Sequence, residues 1–443
     1  MKIKFENGKI LFSLLGFLIF FFVFTYAGFS DYQPMLTSIL FLIGITLLLV
    51  IIIDTCETTA NDRVIFWLSY LVKIGYALYR IMVNYQGSLT SPSLTSDAAR
   101  FWRQASNLYD GISTSVTTRY PYLLNLEFHI FGKNLLNVFL LNIFLTSIML
   151  VFVLKMLNKE HVFGNQRVIA LMVVGFFPYE IIVSASVLRE SVYFAFIMIS
   201  FYSYYLYIRT NKFMMLILSI ICMLPIVVLH TGYAPILVVY LIDSLRYDKI
   251  TRRQDLIKRI VLIGGIIAFV IFVIVTDSSS TGYISRGISG IINRVTGETT
   301  GYTGEAGSRY LSGMTINSIP TLILYTPVRW IYFLFSPLPT NWRGVTDIAS
   351  FLLDSCIHFY ALYVSFKAFS YNKALWRSED YRRYVENKRL LLVGVGMISV
   401  VALVFCLNTS TAGTAIRHRA VMIGVEAVLI GVGIQLRKMK KYS

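Results

Sequence analysis

The feature that most constrains this chain is a recurring run of about 20 apolar residues with almost no charge. The hydrocarbon core of a bilayer is about 30 Å thick, and a helix rising ~1.5 Å per residue needs about 20 apolar residues to cross it. That rule predicts spans at 10–29, 35–53, 64–83, 134–156, 166–184, 188–208, 213–228, 231–245, 259–276, 349–366, 389–408 and 416–436. Charged residues make up only 14% of the chain, against about 25% in a soluble globular protein, so most of its length has no water to face. The predicted fold class is all-α: a polytopic integral membrane bundle of about twelve transmembrane helices, forming a single membrane domain over 1–443.

A further apolar stretch, 319–336, contains Pro320 and Pro327 and runs into Pro337 and Pro339. It is predicted to be re-entrant or broken, a form tolerated at membrane depth only where it lines a protein-walled or watery cavity. The run at 10–29 is followed by Asp31-Tyr32-Gln33-Pro34 without a small-residue cleavage site, so it reads as a retained first helix. Four cysteines (Cys56, Cys222, Cys356 and Cys406) are too dispersed for a metal cage or a disulfide framework.

Basic clusters fix the orientation. They occur at Lys2/Lys4/Lys9, Lys155/Lys159/Arg167, Arg209/Lys212, Arg246 to Arg259, Lys367 to Arg389 and Arg437 to Lys441. Placing all of them inside puts both termini in the cytoplasm of a multi-pass cell-membrane protein. The net charge of +17 then follows from the positive-inside bias and anionic head groups, with the lipid bilayer as partner and no nucleic acid. The largest outer pieces are 84–133, with an interfacial helix, and 277–318, a Gly-rich loop with an amphipathic stretch at Ile284, Ile288, Ile291 and Val295.

In this topology 12 arginines but only Lys73 and Lys133 among the lysines lie outside or within spans. A planar guanidinium binds phosphate oxygens bidentately, where lysine offers a point charge. The bias points to a phosphate or pyrophosphate site at the outer leaflet; pairing with outer carboxylates or lipid phosphates is the alternative.

The segment 95–111 has the period of an amphipathic helix. Ala98, Phe101, Trp102, Ala105, Leu108 and Tyr109 form one face, and Asp97, Arg100, Gln104 and Asn107 the other. Ser96 is the expected N-cap and Gly111 the expected stop. Asp97, in the first turn, is a candidate general base or ligand of a divalent metal ion. Arg189 and Glu190 fill a tight outer turn with Glu180 nearby, a charged group at a membrane boundary. His230 occupies a hairpin, and Arg417, His418 and Arg419 open the last span as a diphosphate cradle. Arg329 and Arg343 flank the proline-broken stretch beside Trp330 and Trp342, as a sugar ring stacked near a charge requires.

Asp97, Phe101, Ala105, Leu108 and Gly111, then Tyr120-Pro121-Tyr122-Leu123-Leu124 and Phe131-Gly132-Lys133-Asn134 entering an apolar helix, resemble the first outer loop of GT-C-fold glycosyltransferases. These polyprenyl-phosphate-dependent enzymes include protein mannosyltransferases and aminoarabinose transferases. The resemblance implies that Asp97 is the catalytic base or metal ligand. The family usually shows paired acids in a loop after its first helix; here Ala98 and Ala99 follow Asp97, and the loop follows the third predicted span. The arginines and the late outer loop also resemble O-antigen and capsule repeat-unit polymerases.

Together these imply a membrane glycosyltransferase or polysaccharide repeat-unit polymerase of envelope biosynthesis. It would use a polyprenyl-(di)phosphate-linked sugar at the extracytoplasmic face, alongside other polysaccharide-assembly proteins. Asp97 and Glu190 are the catalytic candidates. Arg100, Arg189, His230, Arg329, Arg343, Arg417, His418 and Arg419 are the substrate-binding candidates. A flippase of lipid-linked oligosaccharide is the alternative class, and a non-catalytic scaffold the third. Phosphate-binding glycine loops, Gly-x-Ser-x-Gly elbows and zinc-spaced histidines are missing from the sequence.

Overall fold

The computed structural model describes residues 32–116, 118–246, 318–369, 378–409 and 411–439, with a few isolated residues between, among them Tyr310. Among the described residues every regular element longer than one residue is helical. Among the described residues seven helices are long and apolar enough to cross a membrane: Pro34–Asp54, Ala60–Asn84, Leu135–Lys159, Glu190–Thr210, Val345–Phe369, Tyr384–Leu407 and Ala412–Arg437. An eighth is added if Asn165–Gly175 and Pro178–Ser184, bent by 42°, make one span. The bend has a local cause. Pro178 lacks an N–H, and Phe177 before it is extended.

The predicted 213–228 and 231–245 are shorter apolar helices, Phe213–Leu229 and Thr231–Leu245. The predicted spans 10–29 and 259–276, and the loop 277–318 apart from Tyr310, Leu311 and Ser318, lie outside the fully described stretches. The stretch 319–336 departs from expectation: it is one 17-residue helix, Ile319–Phe335, that continues through Pro327. Ser318 and Thr321 form a capping box at its start. The Thr326 hydroxyl donates to the Leu322 carbonyl at 2.7 Å, within the turn that proline disturbs.

The chain divides into two compact units, Met1–His161 with Val174–Ala195 and Val162–Val173 with Phe196–Ser443. The first contains α1 (Tyr32–Asp54), α2 (Ala60–Tyr79, extended by a π turn Arg80–Asn84), α3 (Ser96–Tyr109), α4 (Tyr120–Phe131) and α5 (Leu135–Lys159). α6 (Asn165–Gly175) leads to α7 (Pro178–Ser184) and to α8 (Glu190–Thr210), whose first turns belong to this unit. α5 is its centre and packs against α1, α2, α4 and α7. Lipid tails are as apolar as leucine, so hydrophobicity alone does not hold such helices together; polar side chains and close packing do. The Asn134 amide shows how. Its oxygen caps α5 by accepting from the Leu136 N–H, and its nitrogen donates to Pro34 O and Ser38 Oγ of α1, each at 2.8 Å. Ser38 donates onward to Asn137 Oδ1 at 2.8 Å.

The second unit contains α9 (Phe213–Leu229), α10 (Pro235–Arg246), α11 (Ile319–Phe335), α12 (Val345–Phe369, with a π turn at Phe351–Ser355), α13 (Ser378–Asn408), α14 (Ala412–Arg419) and α15 (Ile423–Met439). α12 and α15 approach closely because Gly433 has no side chain: a Cβ there would stand 2.5 Å from Val364 Cγ1. Small residues at such a crossing let two backbones pack in lipid. α13 lies against α10 and α11.

Candidate functional site

The amphipathic helix predicted at 95–111 forms as α3, and Gly111 ends it with φ +71°. The Ile112 N–H bonds Asn107 O at 2.7 Å and the Gly111 N–H bonds Leu108 O, a Schellman motif. Two details differ from expectation. The N-cap is Thr95, because Ser96 already belongs to the helix, with φ +54°. Gln104, assigned to the polar face, is buried because its amide donates to Ser115 O at 2.9 Å. Asp97 is half-exposed and accepts from Arg100 Nη2 at 2.7 Å, one turn along the same helix. Among the described residues no group of three or more His, Cys, Asp or Glu side chains is placed to hold a metal ion.

The buried face of α3 packs on α4, with Trp102 against Phe128 (ring centroids 4.9 Å) and Phe101 against Tyr120 (5.2 Å). Pro121 starts α4, where a missing N–H costs nothing. Tyr120, Leu124, Glu127 and Phe128 then fall on one buried face, spaced by helical turns. The face places two polar groups, Tyr120 and Glu127, inside the unit. Glu190 and Arg189, at the start of α8, are close enough to act on the Tyr120 hydroxyl, together with Glu127 and Tyr193. Burial pushes the Glu127 carboxyl up to about 8. Burial, reinforced by the acids and opposed by Arg189, holds the Tyr120 hydroxyl well above its ordinary value. Among the described residues Glu127 Oε1 and Ser191 Oγ are buried without a hydrogen-bond partner. A protonated carboxyl, a second acid and a guanidinium around one hydroxyl supply proton donors, acceptors and positive charge in a site with little water.

Sequence reasoning named Arg189 and Glu190 but missed Glu127. The signal was present: a glutamate at the position completing the i, i+4, i+7 buried pattern begun by Tyr120 and Leu124. Glu180, expected beside Arg189 and Glu190, instead receives a hydrogen bond from Lys73 at 2.6 Å. The Arg80 guanidinium, also in this unit, donates to Ala185 O at 2.7 Å and to the Tyr85 hydroxyl. These bonds explain how α2 carries Lys73 and Arg80 within its apolar length.

In the second unit the structure gathers Arg329, Arg419, His230 and His418. Arg329 is buried and donates to Cys406 O (2.8 Å), Leu407 O (3.2 Å) and Thr409 O (3.2 Å). These carbonyls close α13 and have no partner within the helix, so Arg329 caps it from a neighbouring chain segment. Tyr310 adds a hydroxyl bond to Thr409 O at 3.0 Å. Arg419 is buried too. It pairs with Asp354 and donates to Phe333 O (2.8 Å), Ser336 O and Ser355 Oγ (3.0 Å). His358 joins this group, with Nε2 3.1 Å from Asp354 Oδ1 and Nδ1 2.5 Å from Glu426 Oε1.

His230 Nδ1 accepts from the Gly232 N–H at 3.2 Å, and its ring packs on Phe405 and His418. His418 stacks on Phe405 at 4.1 Å between ring centroids. Arg417, which immediately precedes His418 on α14, is half-buried. Arg343 stands apart from this set. Its guanidinium binds Asp347 at 2.9 and 3.0 Å just before α12 and at its first turn. The sequence missed Asp354, His358 and Glu426 as one group because their spacing in the chain gives no sign of it. Comparison of the chain with protein-family models, curated proteins and solved structures finds no match.

Proposed function

We propose that this protein is a membrane glycosyltransferase or repeat-unit polymerase that uses a polyprenyl-phosphate-linked sugar in envelope polysaccharide biosynthesis. In this reading the chain crosses the cell membrane twelve times with both termini in the cytoplasm, and the chemistry takes place at the extracytoplasmic face. The observation that carries it is the group of Tyr120, Glu127 and Glu190, all buried, with the half-buried Arg189, formed around the helix α4 on which α3 packs. Glycosyl transfer needs a base for the acceptor hydroxyl and a cation for the departing phosphate. Glu190 takes the acceptor proton, the acceptor oxygen bonds to the anomeric carbon, and the carbon–oxygen bond to phosphate breaks. The polyprenyl (di)phosphate leaves with the electron pair, its charge countered by Arg189 and, at the membrane surface, by Arg100. Asp97 is the second candidate base. It requires its pair with Arg100 to open.

The test is polymer or glycoside formation by the purified protein in nanodiscs supplied with lipid-linked sugar, for Glu190→Gln, Asp97→Asn and Arg189→Lys. At least one acid variant is expected to lose about 10²-fold or more in turnover, in the range for a lost general base. Full turnover in all three sinks the proposal. The alternative, a flippase of lipid-linked oligosaccharide, draws on the ionisable groups inside the spans: Lys73 with Glu180, and Arg419, Asp354, His358 and Glu426. Translocation of a labelled carrier in proteoliposomes without any bond change would favour it.

A further inference from the structure

The group formed by Arg419, Asp354, His358 and Glu426 raises a question of proton number that its geometry answers. All four side chains are almost completely buried in the second unit. Both ring nitrogens of His358 face carboxyl oxygens, Nδ1 at 2.5 Å from Glu426 and Nε2 at 3.1 Å from Asp354. A neutral imidazole has one N–H, so it can donate to only one of them. The other contact would then set a nitrogen lone pair against a carboxylate lone pair. The arrangement closes only if it holds one more proton, either as an imidazolium between two carboxylates or as a neutral ring with one protonated acid. In both cases the group with Arg419 sums to zero charge. Without that proton it carries a net negative charge in an apolar bundle, which buried ionic groups do not tolerate unpaired.

The charged groups on the surrounding helices do not supply a substitute. On α11, Arg329 is bonded to the carbonyls at the end of α13. On α13, Arg389 is bonded to Asp243 and Glu386 to Arg209. On α12 itself, Asp347 is bonded to Arg343, and Lys367 lies over the Tyr363 ring. On α15, Arg437 also lies over Tyr363. Among the described residues Glu426 Oε2 is buried with no hydrogen-bond partner, so no donor there stabilises a second negative charge. The group also sits where movement is available, because Asp354 lies in the π turn of α12, a form often found at functional positions.

We propose that Asp354, His358, Glu426 and Arg419 form a proton-binding site within the membrane bundle, loaded with one shared proton when α12 and α15 are closed together. Release of the proton leaves a charge that only water can solvate, so the two helices separate to admit it. The site gives the second unit a proton-linked conformational step. It does not depend on which substrate the protein acts upon, nor on the transferase reading.

The proton count is testable in the full-length protein in lipid nanodiscs. Nitrogen-15 histidine spectra at pH 7, with His358 assigned by difference against His358→Gln, should show both ring nitrogens protonated. Alternatively, infrared spectra should show a protonated carboxyl that disappears in Glu426→Gln. A singly protonated His358 ring with no protonated carboxyl overturns the proposal. Hydrogen exchange of α12 and α15 between pH 6 and 10 reads the coupled step. In the alkaline limb, protection should fall about tenfold per pH unit, the slope for one proton. Glu426→Gln, which reaches zero charge without the extra proton, should abolish that slope. Equal slopes in the two proteins refute the coupling; should Glu426→Gln fail to fold, the spectra of the native protein still decide the proton count.

Discussion

Lys73 Nζ lies 2.6 Å from Glu180 Oε1, and neither side chain is exposed to solvent. The pair joins α2 to α7 across 107 residues of chain. A buried pair of this kind is costly to break from one side, because the remaining charge has neither water nor partner. Lys73→Met and Glu180→Leu are each expected to destabilise the protein by about 3–5 kcal/mol. The double variant should recover most of the loss, because two apolar side chains leave no orphan charge. Thermal unfolding in detergent, compared across the three variants, reads this directly. Additive losses in the double variant would show that the two residues do not act as a pair.

Arg419→Lys is expected to be far more damaging than Arg417→Lys. Arg419 donates to two backbone carbonyls and a serine hydroxyl besides Asp354, a fan of bonds that a single ammonium cannot reproduce. A loss of about 2–4 kcal/mol is expected for Arg419→Lys, measured as the unfolding midpoint in detergent.

Gly433→Ala tests the crossing of α12 and α15. The new methyl would need the space occupied by Val364 Cγ1, so a loss of about 1–3 kcal/mol is expected from overpacking. Val364→Ala in the same chain should return part of it. A double-mutant cycle on unfolding midpoints gives the coupling, and zero coupling would show that the helices do not meet at these residues.

The Glu127 carboxyl sets a pH dependence with a definite sign. Burial raises it from 4.5 to about 8, so across that window the folded protein holds a proton that the unfolded chain has released. Stability from this group is fully present below about pH 4.5, declines as pH rises, and is gone above about pH 8. Glu127→Gln removes the titration and should flatten the loss by on the order of 1 kcal/mol per pH unit. Unfolding midpoints of both proteins from pH 5 to 9 provide the measurement. Parallel curves would mean that Glu127 does not titrate in this range.

How much of this was legible in the sequence depends on the range of the interaction. The apolar runs located the long helices because span length is a local property. Gly111 marked the end of α3 because a Schellman motif is built within a few residues. Pro327 misled because proline in isolation breaks helices, whereas within this one the chain continues. The buried charges were beyond reach for another reason. Asp354 and Arg419 are 65 residues apart and Lys73 and Glu180 are 107 apart, and no periodicity signals pairs that only the packed bundle brings together. The outer arginines were read as one phosphate-seeking set. The structure separates that set: Arg329 and Arg419 donate to backbone carbonyls inside the protein, while Arg100 and Arg343 are partly exposed and paired with aspartates.

The cap that Arg329 places on α13 has a bearing on how the protein is made. Arg329 precedes Cys406, the first carbonyl it serves, by 77 residues, so α11 leaves the ribosome well before the helix end that will hold its charge. Until α13 arrives, that guanidinium belongs at a wet boundary, and α11 has no reason to settle at its final depth. The two helices are therefore expected to settle as a unit: the later one completes the placement of the earlier, and truncation of the chain before residue 406 should leave α11 accessible to aqueous reagents.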